Sequence, residues 1–406
     1  MAITEQTVTL TPDTVARIQR ELRALDVDGW LLYNFKGINA IANDLLGLPA
    51  LTRRYFVWIP AGGTPVVVSH DIEQQPWTGW MGDNWPYSTW RDLESRLAQL
   101  LPGNPRVAME YAPGDAVPYV DKVPAGVIEM IRATGATPVT SGDLVSAFYA
   151  RWSAEGVASH HRAARHVYEV AHEAFRRIAA AVRERRGVGE WEVRQWIMGE
   201  FARRGITVGG DAIVAVNANA ANPHYAPSAD HHAQIREGDL VLIDLWGKED
   251  DGAIYADQTW MGFVGTEVPQ RLAEIFAAVR DARLAAIDLI RRRWDAGEEI
   301  AGWEADDASR GVITERGWAE YFIHRTGHSI DRELHGSGPN IDNLESKDTR
   351  RLIPGVGFSI EPGIYLPGDV GFRSEVDVFM GPNGPEVTTP EPQTEVYALL
   401  SDPRFA

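Results

Sequence analysis

The sequence predicts a mixed α/β (α+β) protein of two domains, on three observations. Its 406 residues exceed the usual size of one domain. The first part, to about residue 150, alternates strand-like apolar runs with helical stretches. The remainder twice repeats a pair of amphipathic helices followed by strands that carry acidic residues, which suggests an internally duplicated half.

Taken in order, residues 12–27 read as an amphipathic helix with Pro12 near its start. Gly29-Trp30-Leu31-Leu32-Tyr33, Tyr55-Phe56-Val57-Trp58-Ile59 and Pro65-Val66-Val67-Val68 read as strands, separated by turn signals such as Ala61-Gly62-Gly63. Leu93 to Leu101 and Val123 to Thr134 are helical stretches. Six tryptophans fall between Trp30 and Trp90, as core and turn packing or as residues that overhang a neighbouring site in a dimer. From Gly156 to Arg183 apolar residues recur at helical spacing through Ala163, Val167, Ala171, Ile178 and Val182. Gly187-Val188-Gly189-Glu190 breaks that helix, and a second runs to about Arg204. Leu272 to Arg293, then Gly297-Glu298 and a helix to about Arg316, repeat the pattern.

Composition narrows the function. A formal charge of −18 argues against a nucleic-acid partner, which needs a clustered basic surface. The chain has no cysteine, so thiol catalysis and disulfides are excluded. The first residues carry no basic-then-apolar signal, and no apolar stretch approaches about 20 residues, so a cytoplasmic enzyme without a membrane span is expected.

The chemistry is expected at five residues: Asp244, Asp257, His328, Glu361 and Glu375. Asp244 ends the apolar run Leu240-Val241-Leu242-Ile243, and Asp257 follows Ile254-Tyr255-Ala256 across a probable hairpin tipped by Gly247-Lys248-Glu249-Asp250-Asp251-Gly252. Glu361 and Glu375 lie in Phe358-Ser359-Ile360-Glu361-Pro362-Gly363 and Arg373-Ser374-Glu375-Val376. A carboxylate buried in such a segment must be paired or must coordinate a cation, because an isolated buried charge costs too much. Four carboxylates and one imidazole suffice for two divalent ions with shared ligands, the composition of a two-metal hydrolytic site. His328 is the only one of the 11 histidines assigned to the metal. His160, His161, His166 and His172 are expected on solvated or salt-bridged helix faces, and His231 and His232 in a surface loop.

The run from Asp244 and Asp257 through Gly327-His328-Ser329-Ile330, Glu361-Pro362-Gly363-Ile364-Tyr365 and Arg373-Ser374-Glu375 resembles the pita-bread metallopeptidases, in particular the prolidase and aminopeptidase P branch. The resemblance is strong over residues 155–400 and looser before them. It implies a creatinase-like α/β amino-terminal domain over 1–152 and a pita-bread catalytic domain over 153–406. It also implies hydrolysis of Xaa-Pro bonds by a hydroxide shared between two divalent ions, manganese first and zinc, cobalt or iron as alternatives. Glu361 would be the proton shuttle, while Asp244 and Glu375 bridge the ions. His224, in Asn222-Pro223-His224-Tyr225, would contact the scissile amide and leaving group. His335 would stabilise the oxyanion, and His324 and Tyr365 occupy positions typical of proline-specific members. Arg373 would orient Glu375 or bind a substrate carboxylate, with Lys347, Arg350 and Arg351 as further candidate anchors. An Xaa-Pro dipeptidase and a homodimer are expected, with aminopeptidase P the alternative. Creatinase-like amidinohydrolases and non-catalytic relatives have lost ligands that are present here. A lyase or a hydrolase of a non-peptide amide that retains the ligands stays open. Two departures stand out: Trp260 where the family has arginine, and Gly336 where an acidic residue commonly follows the second histidine.

Overall fold

The computed structural model describes residues 10–406. The chain divides into two compact units, Met1–Tyr149 and Ala150–Ala406.

The first unit runs α1 (Pro12–Ala24), β1 (Gly29–Asn34), α2 (Ala40–Leu46), β2 (Tyr55–Pro60), β3 (Val66–His70), β4 (Asp83–Tyr87), α3 (Trp90–Leu100), β5 (Arg106–Met109), α4 (Ala125–Ala133), β6 (Thr137–Thr140) and α5 (Gly142–Phe148). Its six strands form one mixed sheet in the order β4-β3-β2-β1-β5-β6. Thr11 caps α1 through the Thr14 amide, and the helix buries Val15, Ile18 and Leu22 at helical spacing. Trp30, Trp58 and Trp77 are buried, whereas Trp90 is 55% exposed. A buried carboxylate, Glu110, is held by Trp30 Nε1 at 2.6 Å, Asn39 Nδ2 at 2.7 Å and Ser141 Oγ at 3.0 Å.

The second unit opens with α6 (Ala154–Arg183) and α7 (Glu190–Arg203), followed by β7 (Ile213–Val216), β8 (Leu240–Gly247) and β9 (Ala256–Phe263). A second helix pair, α8 (Gln270–Ala296) and α9 (Gly302–Glu315), precedes β10 (Ser329–Ile330), β11 (Gly357–Ile360), β12 (Gly363–Leu366), β13 (Val370–Arg373), β14 (Val376–Gly381), β15 (Gly384–Val387) and β16 (Tyr397–Ala398). The strands form sheets in the orders β16-β9-β8-β7 and β10-β11-β14-β15, with β12 and β13 as a separate antiparallel pair. Alternation along β8 sorts its side chains. Val241, Ile243 and Leu245 join the core beneath α6 and α7, and Leu240 and Leu242 join the core beneath α8.

The helix α6 departs from expectation, because His160 and His172 are buried, not solvated. Burial lowers the pKa of His160 to about 3 and that of His172 to about 4, so both rings are neutral. His160 bonds the Tyr255 carbonyl through Nδ1 and the Thr388 hydroxyl through Nε2, each at 2.6 Å. His172 lies among the rings of Tyr168, Trp260, Tyr397 and Phe405. Trp260 therefore fills an aromatic core where the resemblance would place an arginine.

Candidate metal centre

Strand register places the two aspartates. Asp244 lies opposite Thr259, and Asp257 opposite Trp246. The carboxylates are therefore diagonal neighbours on one face of the β8–β9 hairpin, the face that carries Leu240 and Leu242. The glutamates come from a second pair of strands. Ile360 pairs with Val376 and Gly363 with Arg373, so Glu361-Pro362 and Ser374-Glu375 are the two bends between paired segments. Bends at the same level on adjacent strands turn both glutamates out of regular pairing toward the aspartates. His328 precedes the short β10, and its amide donates to Ser359 Oγ at 3.0 Å.

These side chains converge in a buried cluster. Asp257, His328 and Glu375 each offer a ligand atom within 4.8 Å of the others. His328 Nε2 lies 3.3 Å from Glu361 Oε1 and 3.5 Å from Asp257 Oδ2. Its Nδ1 faces the Ser329 carbonyl at 3.1 Å, which fixes the tautomer and leaves Nε2 free for a cation. Ser359 Oγ donates to Glu361 Oε1 at 3.0 Å. Thr259 Oγ1 donates to Glu375 Oε2 at 2.6 Å and accepts from Arg373 Nε at 2.8 Å. Arg373 Nη2 donates to Asp244 Oδ2.

The electrostatics describe a site short of positive charge. Burial, then the nearby Asp244 and Glu361 carboxylates, push Asp257 well above the ordinary carboxylate range. Glu375 is raised likewise by burial and by Asp257, Glu361 and Asp244. Burial raises Asp244 despite Arg373. At Glu361 burial is outweighed by His328, Arg373 and His324, and the group is held below its usual value. Asp244 Oδ1 and Asp257 Oδ1 are buried without a hydrogen-bond partner. Oxygen and imidazole donors with unpartnered buried carboxylate atoms fit divalent cations, which satisfy oxygens that no N–H reaches.

The remaining expected residues surround this cluster. The His335 ring meets that of His328 edge to face at 4.4 Å, with one side open to solvent. Desolvation of its packed side, with His328 and Arg325 nearby, lowers its pKa to about 4, so it is neutral near pH 7. His324 Nε2 bonds the buried Tyr365 hydroxyl at 2.8 Å, and its Nδ1 bonds the Arg325 carbonyl at 2.7 Å. His224 lies exposed on a turn whose amide donates to Asn222 Oδ1 at 3.2 Å, near enough to His335 to shift its titration.

The carboxylate anchors expected from sequence are engaged elsewhere. Arg373 is buried and donates to Asp244 Oδ2 and Thr259 Oγ1, with its Nε 3.9 Å from Glu375 Oε2. Arg350 grips Asp348 within the core, Arg351 pairs with Glu299, and Lys347 lies over Trp303. Arg350 is thus held by a carboxylate two residues before it, whereas the partners of Lys347 and Arg351 lie far back along the chain.

Three residues of the site escaped the sequence reading. Asp377 is fully buried, accepts from the Asp257 amide at 2.9 Å, and lies 3.8 Å from His160 Nε2. Burial and Asp257 raise its pKa well above the ordinary range. Its signal was present, because Asp377 stands two residues beyond Glu375 where strand alternation repeats a face. Thr259 stands in the same relation to Asp257. Arg325, 8% exposed, influences His328, His335 and Glu361, and its only sequence signal is its place beside His324.

Comparison with known proteins agrees with this geometry. Residues 162–382 match the metallopeptidase family M24. The chain belongs to that family of divalent-metal peptidases. It is 38% identical over 165 residues to an Xaa-Pro dipeptidase of Lactobacillus delbrueckii subsp. lactis, a stretch covering 41% of this chain and 40% of that protein. It is 34% identical over 172 residues to the probable dipeptidase PepE of Mycobacterium tuberculosis, covering 42% of each. The aligned stretches thus span well under half of these relatives. Among solved structures, dipeptidase PepE from Mycobacterium ulcerans superposes with a TM-score of 0.68 at 23% identity, over 95% of this chain and 96% of that one. The Xaa-Pro dipeptidase from Bacillus anthracis gives 0.62 at 24% identity, over 95% and 100%. These likenesses show the fold, an amino-terminal domain followed by a pita-bread metallopeptidase domain.

No helix among the described residues is long and apolar enough to cross a membrane.

Proposed function

We propose that this protein hydrolyses Xaa-Pro peptide bonds, with Xaa-Pro dipeptides as preferred substrates and two divalent ions, manganese first, held by Asp244, Asp257, His328, Glu361 and Glu375. The observation that carries the reading is the convergence of these side chains around unpartnered buried carboxylate oxygens. Divalent ions bound there supply a water of near-neutral pKa and polarise an amide carbonyl. The side chains then divide the work. Glu361 is the proton carrier, taking a proton from the attacking water and delivering it to the leaving proline nitrogen. Its Oε1 is aligned for this by Ser359 and sits beside His328. Neutral His335, open to solvent at the cluster, donates an N–H to the carbonyl oxygen as charge develops on it. His224 contacts the leaving side, and the His324–Tyr365 pair fixes one wall through its 2.8 Å bond. Asp377 and Arg373 orient Asp257 and Asp244.

The preference for dipeptides rests on the dipeptidase relatives and on Arg325, the buried cation whose charge reaches the site. Manganese-loaded protein assayed against Xaa-Pro dipeptides and matched longer peptides tests it, with kcat/KM expected higher for the dipeptides. Equal values would transfer the assignment to an aminopeptidase P activity, and no cleavage of either would end the proposal. The homodimer belongs to the same proposal and is checked by light scattering.

A further inference from the structure

We propose that Asp331 is a positioning residue for His335, its carboxylate clasping the loop on both sides of that imidazole. The inference rests on the role proposed for His335 above. Asp331 Oδ1 accepts the Glu333 amide at 2.7 Å, and Oδ2 accepts the Ser337 amide at 2.9 Å. These amides stand two residues before and two after His335, so one carboxylate ties down both flanks of the exposed ring. Asp331 itself is 7% exposed. Its carbonyl accepts from the Tyr255 amide at 3.1 Å, two residues before Asp257, so the loop is referenced to the strand that carries a ligand.

Gly336 completes the fit. A Cβ there would lie 2.6 Å from Asp331 Oδ2 and 2.8 Å from Ser329 Oγ. The Gly336 amide donates to the Ser329 carbonyl at 2.7 Å, and the Gly338 amide to Ser329 Oγ at 2.9 Å. A side chain at position 336 has no room beside this carboxylate. The chain brings a carboxylate to the loop from residue 331. Two charge-assisted N–H bonds hold it better than a neutral side chain would.

The experiment is a double-mutant cycle with Asp331→Asn and His335→Ala, joined to an imidazole NMR readout on metal-free protein. Asn keeps the volume of Asp but presents an NH₂ to one of the two amides. In the wild-type background Asp331→Asn should lower kcat on an Xaa-Pro dipeptide about tenfold with KM changed less than about twofold. In the His335→Ala background the same substitution should change kcat by less than about twofold, because the ring it positions is gone. The His335 ring signal, assigned by its loss in His335→Ala, should shift or broaden in Asp331→Asn. Gly336→Ala should move it too, by pushing Oδ2 off the Ser337 amide. Equal fold losses in both backgrounds, or a His335 signal identical in wild type and Asp331→Asn, overturns the inference. Wild-type protein without Xaa-Pro activity would sink the functional proposal separately, and the NMR comparison would still decide whether Asp331 positions the ring.

Discussion

At the scale of single residues, the proposed function divides groups that would hold cations from groups that would handle protons. Glu361 is the one carboxylate of the cluster whose pKa is held below its usual value, with His328, Arg373 and His324 prevailing over burial. Glu361→Gln keeps its shape but can neither bind a cation as an anion nor carry a proton, and it should lose nearly all turnover. Asp250→Asn and Asp251→Asn, at the hairpin tip, should keep kcat within about twofold, since exposed substitutions away from a site are nearly neutral. Steady-state assays of the three variants decide it; an inactive tip variant would displace Asp257 from the ligand set. On the role proposed for it, His335→Ala would remove a donor used mainly in the transition state, so kcat should fall by about 100-fold or more, roughly 3–4 kcal/mol, with a smaller rise in KM. A change confined to KM would make His335 a substrate-binding residue only.

At the scale of elements, how much could be read from the sequence depends on how far each residue's partners lie along the chain. The two aspartates and two glutamates were readable because each closes a local strand or bend; register then sets the aspartates on one hairpin face and the glutamates at two adjacent bends. Asp377 carried only the alternation signal, since its bond to the Asp257 amide spans 120 residues, and Asp331 was missed because it holds the Glu333 and Ser337 amides of an irregular loop that has no periodicity to read. The buried histidines of α6 escaped for a related reason. Amphipathic reasoning assumes one wet face, whereas this helix is covered by β8 and β9, by α7 and by the carboxyl-terminal turn around Phe405. His172 makes the consequence measurable. Its pKa is about 4 in the fold and about 6.5 unfolded, so both states are neutral above pH 6.5. As pH falls from 6.5 toward 4 the unfolded chain takes up a proton that the fold refuses, and stability drops by about 1.4 kcal/mol per pH unit within that window. His172→Phe, ringed by Tyr168, Trp260 and Phe405, should flatten that part of the slope in urea titrations at pH 7.5 and 5. An unchanged slope would show that His172 is not the group responsible. A second element-level constraint is Gly371 in β13, where a Cβ would lie 1.8 Å from the Ala220 carbonyl oxygen. Gly371→Ala must shift the strand that delivers Arg373 and Glu375, costing about 1–3 kcal/mol. Calorimetry should therefore show a lower Tm together with weaker manganese binding.

At the scale of the whole molecule, a chain of net charge −18 gathers buried carboxylates in its second unit, and divalent cations bound among them would add to its stability. Arg373 is the guanidinium within the cluster, and it leaves Asp244 Oδ1 and Asp257 Oδ1 unpartnered. Without divalent ions the repulsion among these carboxylates favours retaining protons, the direction in which the pKa values of Asp257 and Glu375 are shifted. Cation binding must expel those protons, since ligation needs the ionised carboxylates. Three consequences follow from one cause. Chelation should abolish peptidase activity and lower Tm, because a ligand that binds only the folded state stabilises it by mass action. Manganese should restore both. Calorimetric titration of metal-free protein in two buffers of different ionisation enthalpy should report net proton release, with apparent affinity rising as pH increases until the carboxylates are ionised. Full activity after exhaustive chelation would overturn the metal-dependent reading, and binding without proton release would show that Asp257 and Glu375 are already ionised in the metal-free fold.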